Sequence, residues 1–285
     1  MRKLGILLLL NPTPGDDYFL KRWQKLGRVY REGQPYNPRN IEILVTGHDR
    51  PITEELLSKL PDLLVVASPT TGHTHFKFDP DKQSFKVITL RGETEFLAGI
   101  RSVSEFTLQQ ILNLSRPSSA VGNTVNGKTL GILGLGRIGR QVEALAGALG
   151  MKVYSIDKGA AVNEVKALFR VSDFVSVHLP ENASTFKFVS KYLLSLMPKN
   201  ACLINTARAS IVDEQALADA LNSGAIRGAA IDLVEDETIL NSKTRNLIIT
   251  PHIAGFTLED RIKTDLFLID KILKFLCELQ VWRRN

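Results

Sequence analysis

Cysteine is scarce: Cys202 and Cys277 are the only two in 285 residues. Two thiols in apolar segments exclude a disulfide framework, read as buried, and fit a reducing cytoplasm. Long hydrophobic runs are missing as well, and nothing approaches the length that crosses a bilayer. Met1-Arg-Lys-Leu-Gly-Ile-Leu-Leu-Leu-Leu10 has the basic start of a signal peptide, but Asn11-Pro12 follows at once and no small-x-small cleavage site appears. A first β-strand is the expectation. Acidic residues are the scarcer charge, leaving a net +6. The basic residues Lys21, Arg22, Lys25, Arg28 and Arg31 are interleaved with a helical pattern and have no stacking aromatics arranged as a platform, so a solvated helix face is expected rather than a nucleic-acid partner. His73 and His75 stand two apart with no Cys, Asp or Glu completing a cluster, which gives no metal site. Internal repeats and low-complexity tracts are absent.

What is present is a soluble globular composition, 44% hydrophobic and 23% charged, in a chain long enough for two domains. Up to about residue 98, strand-like runs at Leu4–Leu10, Ile41–Thr46, Leu63–Ala67 and Lys86–Leu90 alternate with segments such as Asp16–Leu26 and Thr53–Leu60. That alternation predicts a small α/β domain on a parallel sheet. The loop Ser68-Pro-Thr-Thr-Gly72 follows the third strand, where open α/β sheets place ligands, and the amides of Thr71 and Gly72 are candidates for holding a carboxylate; an ordinary glycine turn is the alternative. Ser102–Leu114 has a helical apolar pattern with Ser102 or Ser104 as N-cap, and is read as the connecting helix.

The densest information lies between Lys128 and Lys158. Thr129–Leu133 suits a buried strand, Gly134, Gly136 and Gly139 give G-x-G-x-x-G, a helical spacing follows, and a second apolar run, Val153–Ile156, ends on Asp157. Gly134 permits a tight turn, Gly136 lets backbone approach a pyrophosphate, and Gly139 lets the helix sit close on the strand. The helix N-terminus offers amides to the phosphates, and Asp157 can accept both ribose hydroxyls. A carboxylate there repels a 2′-phosphate, so NAD is favoured over NADP unless Lys158 offsets it. Tyr154 and Lys158 match Y-x-x-x-K only across a strand end, which is chance.

Further strands are expected at Asp173–Pro180, Ala201–Asn205, Ala229–Asp232 and Leu247–Thr250, with a helix at Asp213–Leu221. Each strand delivers polar residues at its carboxyl end: His178, then Thr206 to Arg208, then Asp232 with Glu237, then His252. Hydride transfer to a 2-oxo acid needs a cation for the carboxylate and carbonyl and an acid of near-neutral pKa. Arg208 is the candidate cation. His252 is the candidate acid, with Glu237 on a loop near enough to pair with it and raise its pKa. Taken singly, each has a plain structural alternative.

Together, Gly134 to Gly139 with Asp157, His178-Leu179-Pro180, Leu203 to Arg208 with Val212-Asp213-Glu214, Gly228 to Asp232 with Glu237, and Thr250-Pro-His-Ile253 resemble the D-isomer-specific 2-hydroxyacid dehydrogenases. The resemblance implies an NAD-dependent enzyme that interconverts a 2-hydroxy and a 2-oxo acid. Arg208 would bind the carboxylate and carbonyl, His252 would carry the proton, and Glu237 would be its partner. Gly134, Gly136, Arg137, Ile138, Gly139, Asp157, His178, Pro180, Thr185, Thr206, Ala207 and Asp232 would form the NAD site, Asp232 near the nicotinamide amide, and Thr71 and Gly72 would meet the substrate. It implies a Rossmann-type doubly wound domain over 99–257 and a smaller split, flavodoxin-like α/β substrate domain made of 1–98 and 258–285, whose last helix runs from Leu258 to about Leu279. Some positions depart from the family. The segment Arg116 to Gly127 is short where the family carries a dimer arm, which weakens the expected homodimer, and Asp157 to Ser172 is short too. Thr238 replaces the proline after the glutamate, Ala209 a glycine, and Lys77 an acid. A non-catalytic, NAD(H)-responsive binding protein on the same fold is the alternative; a lack of turnover with 2-oxo acids would favour it.

Overall fold

The computed structural model describes residues 3–10, 16–47, 50–73, 75–116, 121–241 and 243–279. The chain divides into two compact units, one of Met1–Ile100 with Thr257–Asn285 and one of Arg101–Phe256.

In the first unit, β1 (Leu4–Leu9), β2 (Gly27–Arg31), β3 (Ile43–Thr46), β4 (Val65–Ala67) and β5 (Lys86–Ile88) form a parallel sheet ordered β2-β1-β3-β4-β5. Residues of β1 alternate between two cores. Ile6 and Leu8 pack with Trp23, Leu268 and Ile272 on one face, while Leu7 and Leu9 pack with Leu57, Phe76 and Phe78 on the other. A strand buried on both faces reads as a continuous apolar run, which is why Leu4–Leu9 looked like a leader. Helices α1 (Asp16–Leu26), α2 (Glu54–Ser58) and α3 (Thr94–Ala98), with the C-terminal helix Leu258–Glu278, complete the unit. The helical reading of the basic stretch fails after Leu26. Arg28 and Arg31 lie on the edge strand β2, whose residues past Gly27 are partly or fully exposed and so tolerate charge. Cys277 is exposed, contrary to expectation, because the buried stripe of its helix runs through Leu268, Ile269, Ile272 and Leu276 and leaves the next position outside.

The second unit carries β6 (Thr129–Leu133), β7 (Lys152–Ile156), β8 (Phe174–Val177), β9 (Cys202–Asn205), β10 (Gly228–Ile231) and β11 (Leu247–Ile249), all parallel, in the order β11-β10-β9-β8-β6-β7. Helices α4 (Ser102–Ser115) and α5 (Arg137–Ala148) cover one face through Ile111, Val142 and Ala146. Helices α6 (Val162–Val171), α7 (Lys191–Leu196) and α8 (Glu214–Asn222) cover the other through Phe169, Leu194 and Leu217. This is a doubly wound sheet. The N-cap of α4 is Arg101, without a side-chain cap. Ser104 instead donates its hydroxyl to the Arg101 carbonyl at 2.7 Å, so neither predicted serine caps the helix. The short stretch after Asp157 holds α6, with Glu164 accepting from the Ala161 amide at 2.7 Å. Residues 117–120 of the short segment before β6 lie outside the described residues.

Candidate functional site

From β6 the chain first adds β7 on one side and then crosses to β8 on the other, so the topological switch point lies between the carboxyl ends of β6 and β8. Ligands of open α/β sheets bind in the crevice at such a point. Parallel pairing aligns Leu133, Ile156, Val177, Asn205, Ile231 and Ile249 in one row across the sheet. The following residues, Gly134, Asp157, His178, Thr206, Asp232 and Thr250, therefore form the next row at the rim. Ladder bonds carry on into it: Gly134 N to Ile156 O, 2.9 Å; His178 N to Leu133 O, 2.8 Å; Asp232 N to Asn205 O, 3.0 Å; Thr250 N to Ile231 O, 3.0 Å. Register, rather than chance, gathers the candidate residues on one edge.

Gly134 has φ +102°, which favours glycine, and a Cβ at Gly139 would stand 2.1 Å from the Gly134 carbonyl oxygen. Gly136 caps α5 and is open: a Cβ there would meet nothing within 4 Å. An open glycine at the start of a twelve-residue helix leaves room for phosphate against the first amides, so these residues fit a dinucleotide. Arg137 begins that helix, and Ile138 packs against the core beneath it. Asp157 is exposed, and its Oδ1 accepts from the Leu135 amide at 3.3 Å, tying the acid to the glycine turn.

His178 pairs through Nε2 with the Ser176 hydroxyl at 2.8 Å, and burial pushes its pKa down to about 4 from 6.5. Pro180 is exposed. Its carbonyl accepts the buried Thr185 hydroxyl at 2.7 Å, and that hydroxyl accepts the Asn182 amide at 2.9 Å, closing the turn after β8. Thr206 is 8% exposed and bonds to the Thr107 hydroxyl on α4 at 2.9 Å. The buried Asn205 side chain donates to the Arg208 carbonyl at 2.8 Å and accepts from the Ala207 amide at 3.0 Å, which shapes the turn that presents Arg208. The half-buried Arg208 guanidinium donates through Nη1 to the Ala207 carbonyl at 2.6 Å, and among the described residues no carboxylate pairs with it.

Asp232 is 1% exposed. Oδ1 accepts from the Thr250 hydroxyl at 2.7 Å and the Ile253 amide at 2.9 Å, and Oδ2 from the Ala254 amide at 2.9 Å. The Asp232 carbonyl also accepts from the His252 amide at 2.6 Å. His252 itself sits at φ +56°, a left-handed conformation that costs an L-residue roughly 1 kcal/mol and persists only where its surroundings impose it. The Asp232 bonds on both sides of His252 are what impose it. Glu237 stands exposed on the turn after β10. Thr71 and Gly72 belong to the other unit, past β4, where the Thr70 hydroxyl donates to the Gly72 carbonyl at 3.0 Å. Residue-by-residue reading missed Thr107, which holds Thr206 from a distant helix, and gave no role to Glu214, which accepts amides of the Glu237 turn.

Sheet order, glycine turn and rim acid define a dinucleotide-binding unit of the Rossmann type. The family model "D-isomer specific 2-hydroxyacid dehydrogenase, NAD binding domain" matches residues 95–254. The glyoxylate reductase of Thermococcus litoralis is 31% identical over 258 residues, covering 78% of this chain and 77% of that protein. The D-3-phosphoglycerate dehydrogenase of Escherichia coli K12 is 36% identical over 197 residues, 64% of this chain, which spans about half the length (48%) of that relative. The D-lactate dehydrogenase of Aquifex aeolicus, solved with NAD and lactic acid, superposes with a TM-score of 0.76 over 96% of each chain at 26% identity. The chain belongs to the D-isomer-specific 2-hydroxyacid dehydrogenase family, oxidoreductases built on an NAD-binding domain. Among the described residues no helix is long and apolar enough to cross a membrane.

Proposed function

We propose that this protein interconverts a 2-hydroxy acid and its 2-oxo acid with NAD(H), using Arg208, His252 and Glu237. The observation that carries the reading is Arg208, a half-buried guanidinium on the rim that is given no carboxylate by the described residues. A cation given no acidic partner by the described residues, beside a dinucleotide crevice, suits a substrate carboxylate in bidentate geometry.

Gly134, Gly136, Arg137, Ile138 and Gly139 would hold the pyrophosphate at the head of α5. Asp157 would take the ribose hydroxyls, and the turns at His178–Pro180, Thr185 and Thr206–Ala207 would line the remainder. Bound there, a nicotinamide dinucleotide supplies or accepts the hydride. Arg208 orients the 2-oxo acid and polarises its carbonyl. His252, fixed by the Asp232 loop, donates a proton to the carbonyl oxygen in reduction and takes it back in oxidation, and Glu237 stabilises the imidazolium. Residues 1–98 with 258–285 would serve as the substrate domain, with Thr71 and Gly72 as its candidate substrate-binding residues, and 99–257 as the dinucleotide domain. NAD is preferred over NADP because the Asp157 carboxylate opposes a 2′-phosphate.

The test is loss of absorbance at 340 nm with NADH and pyruvate, glyoxylate, hydroxypyruvate or phosphohydroxypyruvate. Turnover of at least one is expected, whereas NADH binding with no turnover of any 2-oxo acid contradicts the proposal.

A further inference from the structure

We propose that Glu214 is a positioning residue that sets the turn carrying Glu237; the proposal rests on the role given to Glu237 above. Glu214 opens α8, directly after its cap Asp213, and is only 8% exposed. A carboxylate buried this far is costly unless donors occupy it. Here Oε1 accepts from the Glu235 amide at 2.8 Å and Oε2 from the Asp236 amide at 3.0 Å. One oxygen on each of two consecutive amides fixes the orientation of the backbone as well as its position, immediately ahead of Glu237. The positive end of α8 favours the charge.

Beyond Glu237 the same turn is tied a second time. Asp236 Oδ1 accepts from the Thr238 amide at 2.8 Å and from the Thr238 hydroxyl, and the Asp236 carbonyl accepts from the Ile239 and Leu240 amides at 3.0 and 3.1 Å. Leu240 is fully buried and anchors the far side. Glu237 is thus the exposed tip of a turn fastened before and after it. Thr238 stands where a proline is common in the family. Proline has no amide hydrogen, so the threonine bonds supply by side chain the rigidity that a fixed φ would give. A turn that merely joined β10 to β11 would have no need of a buried carboxylate from a helix 21 residues upstream.

Glu214→Gln keeps the volume but sets an NH₂ against one amide N–H. In 2-oxo acid reduction, kcat is expected to fall about tenfold or more, with the KM for the oxo acid and the Kd for NADH within about twofold. Glu214→Gln combined with Glu237→Gln should lose no more than Glu237→Gln alone, and hydrogen exchange at the Glu235 and Asp236 amides should rise about tenfold or more. Additive losses, or unchanged kcat, overturn the proposal. Should the glutamine variant not fold, Thr238→Val removes the hydroxyl tie at an exposed position and should lower kcat in the same selective way; activity equal to wild type overturns the proposal. A wild type that reduces no 2-oxo acid defeats the functional reading instead. The tether is then judged by exchange alone: unchanged exchange at the two amides overturns it, and raised exchange supports it.

Discussion

His178 shows how one rim residue couples stability to pH. An unfolded imidazole takes up its proton near pH 6.5, but in the folded protein burial delays uptake to about 4. Between those values the unfolded chain binds more protons, so this residue's contribution to stability is full above about 6.5 and is lost as pH falls through the window, by a total on the order of 1–3 kcal/mol. Replacing His178 by glutamine, which keeps an amide for Ser176, should flatten the fall in urea-unfolding free energy between pH 7 and 5 relative to wild type. An unchanged slope would assign that pH dependence to other groups. Asp157 provides a second residue-scale test. Asp157→Ser removes the charge that opposes a 2′-phosphate and should narrow the gap between NADH and NADPH in kcat/KM. If the preference stayed as in wild type, the ribose would have to be read by another residue.

At the scale of elements, the strand ends and the turns beyond them carry the site. Asp232 ends β10 and holds the loop after β11 through the Thr250 hydroxyl and the amides of Ile253 and Ala254. Asp232→Asn turns one acceptor into a donor facing a donor, so it should cost about 1–3 kcal/mol of stability and lower kcat while NADH binding changes little. Weakened NADH binding with kcat and stability intact would place the carboxylate on the cofactor instead. The rim itself was legible in the sequence, because each buried apolar run stops at a polar residue and the glycine spacing marks the turn after β6. The supports were not. Thr107 lies 99 residues from the Thr206 it holds and Glu214 lies 21 residues from the amide it accepts, and neither distance leaves a periodic trace. The edge strand β2 was misread for a local reason: its arginines continue the helical period of α1 although the chain has already turned at Gly27.

At the scale of the whole molecule, two compact units share a chain that leaves the first at residue 100 and returns to it at residue 257. Family membership follows from the match over 95–254. The first unit, where Thr71 and Gly72 lie, gave less to the reading because its inner strands β1 and β4 are wholly apolar and its loop has no fingerprint comparable to the glycine turn. The selectivity such loops exert is small for each contact, about 1–3 kcal/mol for a methylene, and strand patterning does not encode it. The cation on the rim is a different matter, since in the proposed function it is the charged group that binds the substrate carboxylate. The most direct measurement is therefore the steady-state kinetics of Arg208→Gln beside wild type on the best 2-oxo acid of the panel, with NADH affinity measured separately. A fall in kcat/KM on the order of 10²-fold or more, with NADH affinity within about twofold, is the predicted result. Undiminished reduction of the oxo acid by Arg208→Gln would contradict the role given to this guanidinium and, with it, the reading of the rim as a 2-oxo acid site.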